Sequence, residues 1–444
     1  MSIHDFTDIH IPVDCHNPAI VRNDKLCIKC GACRRICERD MAIGRLYDME
    51  SSRDCPICIH CGQCTYVCPT ESISERYEYQ KVKKAILNIN KIVIFTMSPS
   101  ARLGLGEALG LGPGAFTEGK MAASLRALGA DYVFGTGFAA DLSIMEEASE
   151  LIDRLVNKTR PLPQFTGSCP AWVKFAETFY PGTLSHLSTA KSPIGMQGPT
   201  IKTYFAWRRG INPEQIVNVA VTPCTAKKFE IRRKEMNAAS RELNIPEMRD
   251  MDYVITAREL AKWLKEEGID FAGLKDSSYD SLMGGKTGAE PVCGNAGSVL
   301  EAAASTAFNL MTGKNPGEDF LKLHHVPGRE GIKSAEADLN GTHIRLALVQ
   351  GMDNAKQVLE ELISGKCEYD YIEVLACRGG CSEARGMSFR FSHENPGIKE
   401  VYKEFYQKPL SPRAEDLLHS SYHSRYDDLG PRGIVEKKQY ELEG

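Results

Sequence analysis

The chain has 444 residues, 42% of them hydrophobic, and a formal net charge of −4. That length provides for two or more domains with buried cores, and so mild a charge gives no reason to expect nucleic acid or an anionic membrane as a partner. No apolar run approaches the ~20 residues needed to span a bilayer. The polar opening MSIHDFTDIHIPVDCHNP does not read as a signal peptide, so the expected location is the cytoplasm. Sixteen cysteines in such a chain point to metal ligation before disulfides, because the cytosol keeps thiols reduced.

Eight of the cysteines stand in two tight runs. Cys27, Cys30, Cys33 and Cys37 form the first; Cys58, Cys61, Cys64 and Cys68, followed by Pro69, form the second. Both fit C-x2-C-x2-C-x3-C, the pattern of two-cluster bacterial ferredoxins, in which the fourth cysteine of each run ligates the other cluster. The spacing therefore assigns Cys27, Cys30, Cys33 and Cys68 to one 4Fe-4S cluster, and Cys58, Cys61, Cys64 and Cys37 to a second. Gly31 and Gly62 suit backbone that bends closely around sulfur. The competing reading is a pair of zinc knuckles, but these want C-x2-C pairs separated by a longer loop, and here the triplets are uninterrupted. Cys55 overlaps the second run and is read as a free thiol, because Cys68-Pro69 sets the run to start at Cys58. Cys15 is read as structural, and His60 as a surface or cluster-shielding residue.

From about Lys91 the chain alternates strand-like and helix-like stretches, the mark of α/β architecture. KIVIFTM, DYVFGTGF, VNVAVTPC and YIEVLACRGGC read as strands running into turns; AADLSIMEEASELIDRLV and NAGSVLEAAASTAF read as helices. Open α/β sheets gather function beyond the carboxyl ends of their strands. Cys224 and Cys377 fall there, Cys169 follows the short apolar stretch LPQF, and Cys381 closes the last turn. Any one of these four alone reads equally well as an ordinary buried cysteine.

Their surroundings decide otherwise. The segments FTGSCPAW around Cys169, TPCTAKKFE around Cys224 and EVLACRGGC ending at Cys381 resemble, in order and spacing, the three signature segments of iron-iron (FeFe) hydrogenases. The resemblance extends to PSARLGLGEALG after the first strand, to the SIMEEASEL helix and to the tail SHENPGIKEVYKEFYQKPLSPRAEDLLHSSY. It implies an α/β catalytic domain with two sheet-containing lobes enclosing the H-cluster, preceded by an α+β two-cluster ferredoxin-like domain. The expected boundaries are 1–90 for the ferredoxin-like domain, 91–395 for the catalytic domain and 396–444 for a small-subunit-like wrapping segment. It also implies an H-cluster, with a 4Fe-4S cubane on Cys169, Cys224, Cys377 and Cys381. Cys381 would bridge to a di-iron unit carrying CO, cyanide and an azadithiolate, delivered by maturation proteins. Lys227 would direct its ammonium at a cyanide ligand, and Pro170 and Pro223 would stiffen the loops that present sulfur.

The chain also departs from the family. The residue before the first cubane ligand, a proton-relaying cysteine in the family, is Ser168, and the preceding serine is Gly167. Glu147, Glu150 and Ser188 match the outer proton path. Thr222 and Leu375 replace two methionines that contact the di-iron unit, and Ser382-Glu-Ala-Arg385-Gly replaces a glycine-rich ending with Gln-Pro. Cys293 is a candidate alternative relay or redox cap, against the plainer reading of a buried free thiol. Cys367 receives no role. The leading expectation is a hydrogenase that interconverts H2 with protons and electrons, exchanging the electrons with a ferredoxin-like carrier through the N-terminal clusters. A slow hydrogen sensor and a non-catalytic iron–sulfur assembly factor are the alternatives. The last of these predicts loss of Lys227 and of the Glu147 and Glu150 relay, and all three residues are kept.

Overall fold

The computed structural model describes residues 10–49, 56–112, 115, 117–282, 298–317 and 320–381. Cys55, Cys293 and the segment from Ser382 onward lie outside them. The N-terminal region is closed by strands β1 (Ile20–Arg22) and β2 (Ile73–Glu75), paired antiparallel with Ile20 opposite Glu75. Between them come helices Ala32–Arg39 and Gln63–Val67. The apolar core under this hairpin is small, with Ile11, Ile20, Met49 and Ile73 packing around Cys33 and Cys64. So small a core calls for a further staple such as bound metal.

Nine more strands follow in chain order: β3 (Ile92–Met97), β4 (Tyr132–Gly135), β5 (Gln164–Phe165), β6 (Ile216–Thr222), β7 (Tyr253–Thr256), β8 (His324–His325), β9 (Ile332–Leu339), β10 (Thr342–Gln350) and β11 (Tyr371–Leu375). They make two sheets. The first is fully parallel in the order β4-β3-β6-β7. Both faces are covered, so its strands read as near-continuous apolar runs, and every residue of β6 is buried. The second sheet runs β5-β11-β10-β9-β8. Strands β5, β11 and β10 are mutually parallel, while β9 and β8 are added antiparallel on the far side of β10. Toward that edge β9 ends in the alternating burial of a half-exposed strand.

This topology places the chemistry. Cys224 lies just past the carboxyl end of β6 in one sheet, while Cys169 and Cys377 lie past the carboxyl ends of β5 and β11 in the other. Cys169 caps helix Pro170–Phe179, with Pro170 at the first helical position, where a missing N–H costs nothing. Pro170 thus starts a helix where the sequence suggested a stiffened loop. The N-terminal region is seated by polar contacts. Thr256 Oγ1 donates to Glu75 Oε2 at 2.6 Å and Glu78 N–H to Glu259 Oε1 at 2.5 Å, while Arg232 pairs with Glu78 and Lys228 with Glu259. All four carboxylate and lysine side chains of this clasp are buried, so each charge is kept by its partner.

Candidate metal centres

The two cysteine runs share one backbone shape. Lys29 and Gly31 have φ of 56° and 71°, and the matching His60 and Gly62 have φ of 61° and 72°. In each run the left-handed glycine ends the loop and opens the following helix. A residue with a Cβ is disfavoured in that region. Its repetition at equivalent places shows that both loops wrap the same way. Cys27, Cys30, Cys33 and Cys68 line one cavity of about 340 Å³, part of it open to solvent. Cys37, Cys58, Cys61 and Cys64 line a second of about 460 Å³. The fourth cysteine of each run therefore faces the other run's cavity, and the two sets of four named from spacing are the sets brought together.

Burial pushes the thiols of Cys33, Cys37, Cys58, Cys61 and Cys64 up, and neighbouring thiolates push most of them further. For Cys68, burial is outweighed by backbone N–H groups of Ile73 and Thr70, which hold the thiol below its ordinary value. Thiols must lose their protons to bind metal, so such a crowd needs a strongly positive core among them. Among the described residues no three His, Cys, Asp or Glu side chains converge closely enough for a single metal ion. Zinc would draw its thiolates to within about 4 Å of one another. Wider openings lined by four soft sulfurs fit an iron–sulfur cubane.

The third set is assembled from the strand ends. Cys381 is pushed well up by burial and then by Cys224, Cys169 and Cys377, so the other three thiols lie near it. Cys224 is pushed up to about 12 by burial and then by Cys169, against the pull of Lys227. Burial also raises Cys169, with Lys227 again opposing. The Lys227 ammonium donates to the Ser168 carbonyl at 3.1 Å and pairs with Glu230 Oε2 at 2.7 Å; Ser192 Oγ donates to the same oxygen at 2.9 Å. Thr222, expected at a di-iron contact, spends its hydroxyl on its own loop. Oγ1 accepts from Cys224 N–H at 3.3 Å and donates to Cys224 O at 3.2 Å. Pro223, just past β6, and Leu375, at the end of β11, are buried, and Ser168 is half-buried.

The carboxylates lie behind Cys169, on helix Gly137–Val156. Glu147 is fully buried; Oε1 accepts from Gly167 N–H at 3.1 Å and Oε2 from the Tyr371 hydroxyl at 2.7 Å. Glu150 Oε2 accepts from Ser188 Oγ at 2.9 Å, and Oε1 pairs with buried Arg154 at 2.5 Å. Ser188 is held there because Ser188 N–H donates to Phe165 O at 2.7 Å, which lays its segment along β5. The residues of the expected outer path thus fall into two hydrogen-bonded groups on one helix, Glu150 with Ser188 and Glu147 with Gly167, the residue before Ser168. Arg154, Tyr371, Glu230 and Ser192 escaped the sequence reading. The Glu150/Arg154 spacing of four on one helix was a usable signal, while the Tyr371 contact joins residues 224 positions apart.

The surface reading of His60 and the structural reading of Cys15 need correction. His60 is not at the surface. It is fully buried, stacks on Phe229 with ring centroids 4.4 Å apart, and is kept neutral by burial and by Lys174 and Arg232, its pKa lowered to about 3. Cys15 is exposed and so is no part of a core. Cys367, on its polar stretch, is half-buried against the core beneath the second sheet.

Residues 91–384 match the family described as iron only hydrogenase large subunit, C-terminal domain, and residues 381–425 match iron hydrogenase small subunit. The chain belongs to the FeFe hydrogenase family. Among its relatives, the NADP-reducing hydrogenase subunit HndD of Solidesulfovibrio fructosivorans is 39% identical, over 92% of this chain and 75% of that protein. The periplasmic Fe hydrogenase large subunit of Nitratidesulfovibrio vulgaris is 42% identical, over 80% and 83%. Cytosolic iron-sulfur assembly component 3 of Bos taurus is 30% identical, over 77% and 76%. A solved FeFe hydrogenase variant from Chlamydomonas reinhardtii superposes with a TM-score of 0.63 at 30% identity, over 82% of this chain and 97% of that one. The catalytic region therefore has the FeFe hydrogenase fold, and membership implies an H-cluster and iron–sulfur clusters. No described helix is long and apolar enough to cross a membrane.

Proposed function

We propose that this chain is a hydrogenase that interconverts H2 with two protons and two electrons. Residues 1–90 would form a two-cluster electron-transfer domain, 91–395 the catalytic domain and 396–444 a wrapping segment. Cys169, Cys224, Cys377 and Cys381 would hold the cubane of the H-cluster, and Cys381 would also carry the di-iron unit brought by maturation proteins. When bound, that cluster supplies the site where H2 is split or formed. Cys27, Cys30, Cys33 and Cys68, and Cys37, Cys58, Cys61 and Cys64, would hold two further 4Fe-4S clusters that pass electrons to and from a ferredoxin-like carrier.

The protein's own groups supply the rest. Lys227, anchored by Glu230 and backed by Ser192, places its ammonium near Cys169, Cys224 and Cys381 and steadies the Ser168 carbonyl. Ser188, Glu150 and Glu147 would move protons inward, with Ser168 as the innermost group. Burial of Glu147 and Ser188 excludes bulk water, so protons follow these side chains. Leu375, Thr222 and Pro223 would line the di-iron pocket, and Cys293 is the alternative inner relay.

The observation that carries this reading is the joining of Glu150 to Ser188, and of Glu147 to Gly167, directly behind the cubane cysteines. A protein that only held a cubane would need no such pair of hydrogen-bonded carboxylates. The second reading, an iron–sulfur assembly factor, rests on the similarity to assembly component 3. Infrared spectra of protein matured with the hydrogenase accessory proteins decide between them. CO and cyanide bands together with hydrogen evolution are expected, and a third cubane without those bands would instead identify an assembly factor. A slow sensor would show the bands with little turnover.

A further inference from the structure

We propose that Gln63 is a positioning residue for electron transfer. Its side-chain amide donates a hydrogen bond to Cys377, raising the reduction potential of the cubane held there and linking that cubane to the second N-terminal cluster. The inference rests on the proposed ligand role of Cys377. Gln63 Nε2 lies 3.4 Å from Cys377 Sγ, across 314 positions of sequence. Gln63 itself stands between Cys61 and Cys64, in the run lining the second cavity, and is only 3% exposed. One residue therefore lines the second cavity and hydrogen-bonds a cysteine of the third set.

The approach is built into the backbone. At Gly62, φ is +72° and an added Cβ would meet Thr225 Oγ1 at 2.3 Å, so glycine is what permits the two loops to press together. Thr225 follows Cys224 and donates its hydroxyl to His60 O at 3.2 Å, tying the loop of the second run to the loop of the third set. His60 stacked on Phe229 closes the same contact from the other side. A thiolate can only accept, so the nitrogen end of the Gln63 amide must face it.

Reduction adds negative charge to a cluster and its thiolates. A hydrogen bond to ligand sulfur is therefore stronger in the reduced state and raises the potential. The Cys377 cubane becomes a better electron acceptor from the N-terminal side. The amide also gives the electron a bonded route across the gap between the loops.

The test is a redox titration followed by electron paramagnetic resonance, on full-length protein carrying its three cubanes and no di-iron unit. Gln63→Leu should lower the midpoint potential of the Cys377 cubane, and Gln63→Glu should lower it further, while the cubane on Cys27, Cys30, Cys33 and Cys68 stays where it was. Gln63→Asn, one methylene shorter, should behave like Gln63→Leu and serves if the leucine variant fails to take up clusters. An unchanged midpoint for the Cys377 cubane in these variants overturns the inference while leaving the proposed function standing. A wild-type protein with no cubane at Cys377 overturns both.

Discussion

Between Cys27 and Cys68 the cysteines gather because the chain doubles back on itself within a few residues, twice, with the same pair of left-handed positions each time. In the catalytic region Cys169, Cys224 and Cys377 meet because two sheets bring the carboxyl ends of β5, β6 and β11 to one place. The first kind of site depends on local backbone shape and has little core of its own. The second depends on the packing of whole sheets, and its loops can be short because buried strands such as β6 hold them. Damage should therefore stay local in the first region and spread through the site in the second.

The largest contrast should come from removing ligands. Cys377→Ala is expected to abolish the third cubane and all hydrogen turnover while leaving both N-terminal clusters reducible. Cys58→Ala should remove one N-terminal cluster and leave hydrogen evolution from a small-molecule reductant intact. Iron content, paramagnetic resonance and gas evolution on the two variants check this, and equal losses in both would erase the distinction between the regions.

The relay gives the next effect. A positioned acid–base group contributes about 10²–10⁴-fold to proton-limited steps, so Glu150→Gln should slow hydrogen evolution within that range at equal di-iron occupancy. The amide keeps the shape of the side chain but cannot carry the proton. Ser168→Cys should raise the rate several-fold, because a thiol of pKa ~8.5 exchanges protons far more readily than an alcohol. No gain from Ser168→Cys together with collapse on Cys293→Ala would move the inner step to Cys293.

Two smaller effects probe the joints. Gly62→Ala forces a Cβ into left-handed backbone and against Thr225, and should cost about 1–3 kcal/mol of stability. Chemical denaturation should show the loss, and electron delivery from the N-terminal side should fall with it. Tyr371→Phe removes the hydroxyl that Glu147 accepts, at about 1–3 kcal/mol. Burial and the neighbouring Glu147 push the Tyr371 phenol well above its ordinary value. The folded state thus holds that proton where the unfolded state releases it, and wild-type stability should fall as pH rises past about 10. The phenylalanine variant should lack that part of the alkaline loss, which thermal unfolding at pH 8 and pH 11 would reveal.

Much of the molecule was legible in its residues. KIVIFTM, VNVAVT and YIEVL are strands β3, β6 and β11 because β-branched, apolar runs of that length suit sheets buried on both faces. The two cavities lined by four cysteines each follow from spacing, since ligands three residues apart must curl around one object. The third set was legible only through its resemblance to a family, because no spacing rule relates Cys169 to Cys377. Gln63, Tyr371, Arg154 and the buried position of His60 were not legible.

The sequence by itself determined which residue types were available, where strands and helices begin, and how each short cysteine run closes, because those depend on neighbours a few bonds away. Tertiary structure alone decided that β6 and β11 end at one place, that Glu147 is sealed between Gly167 and Tyr371, and that Gln63 reaches Cys377. These contacts join segments far apart in the chain. They exist only once burial of two separate sheets has brought the segments together, a balance of packing and desolvation over the whole molecule that no local pattern records.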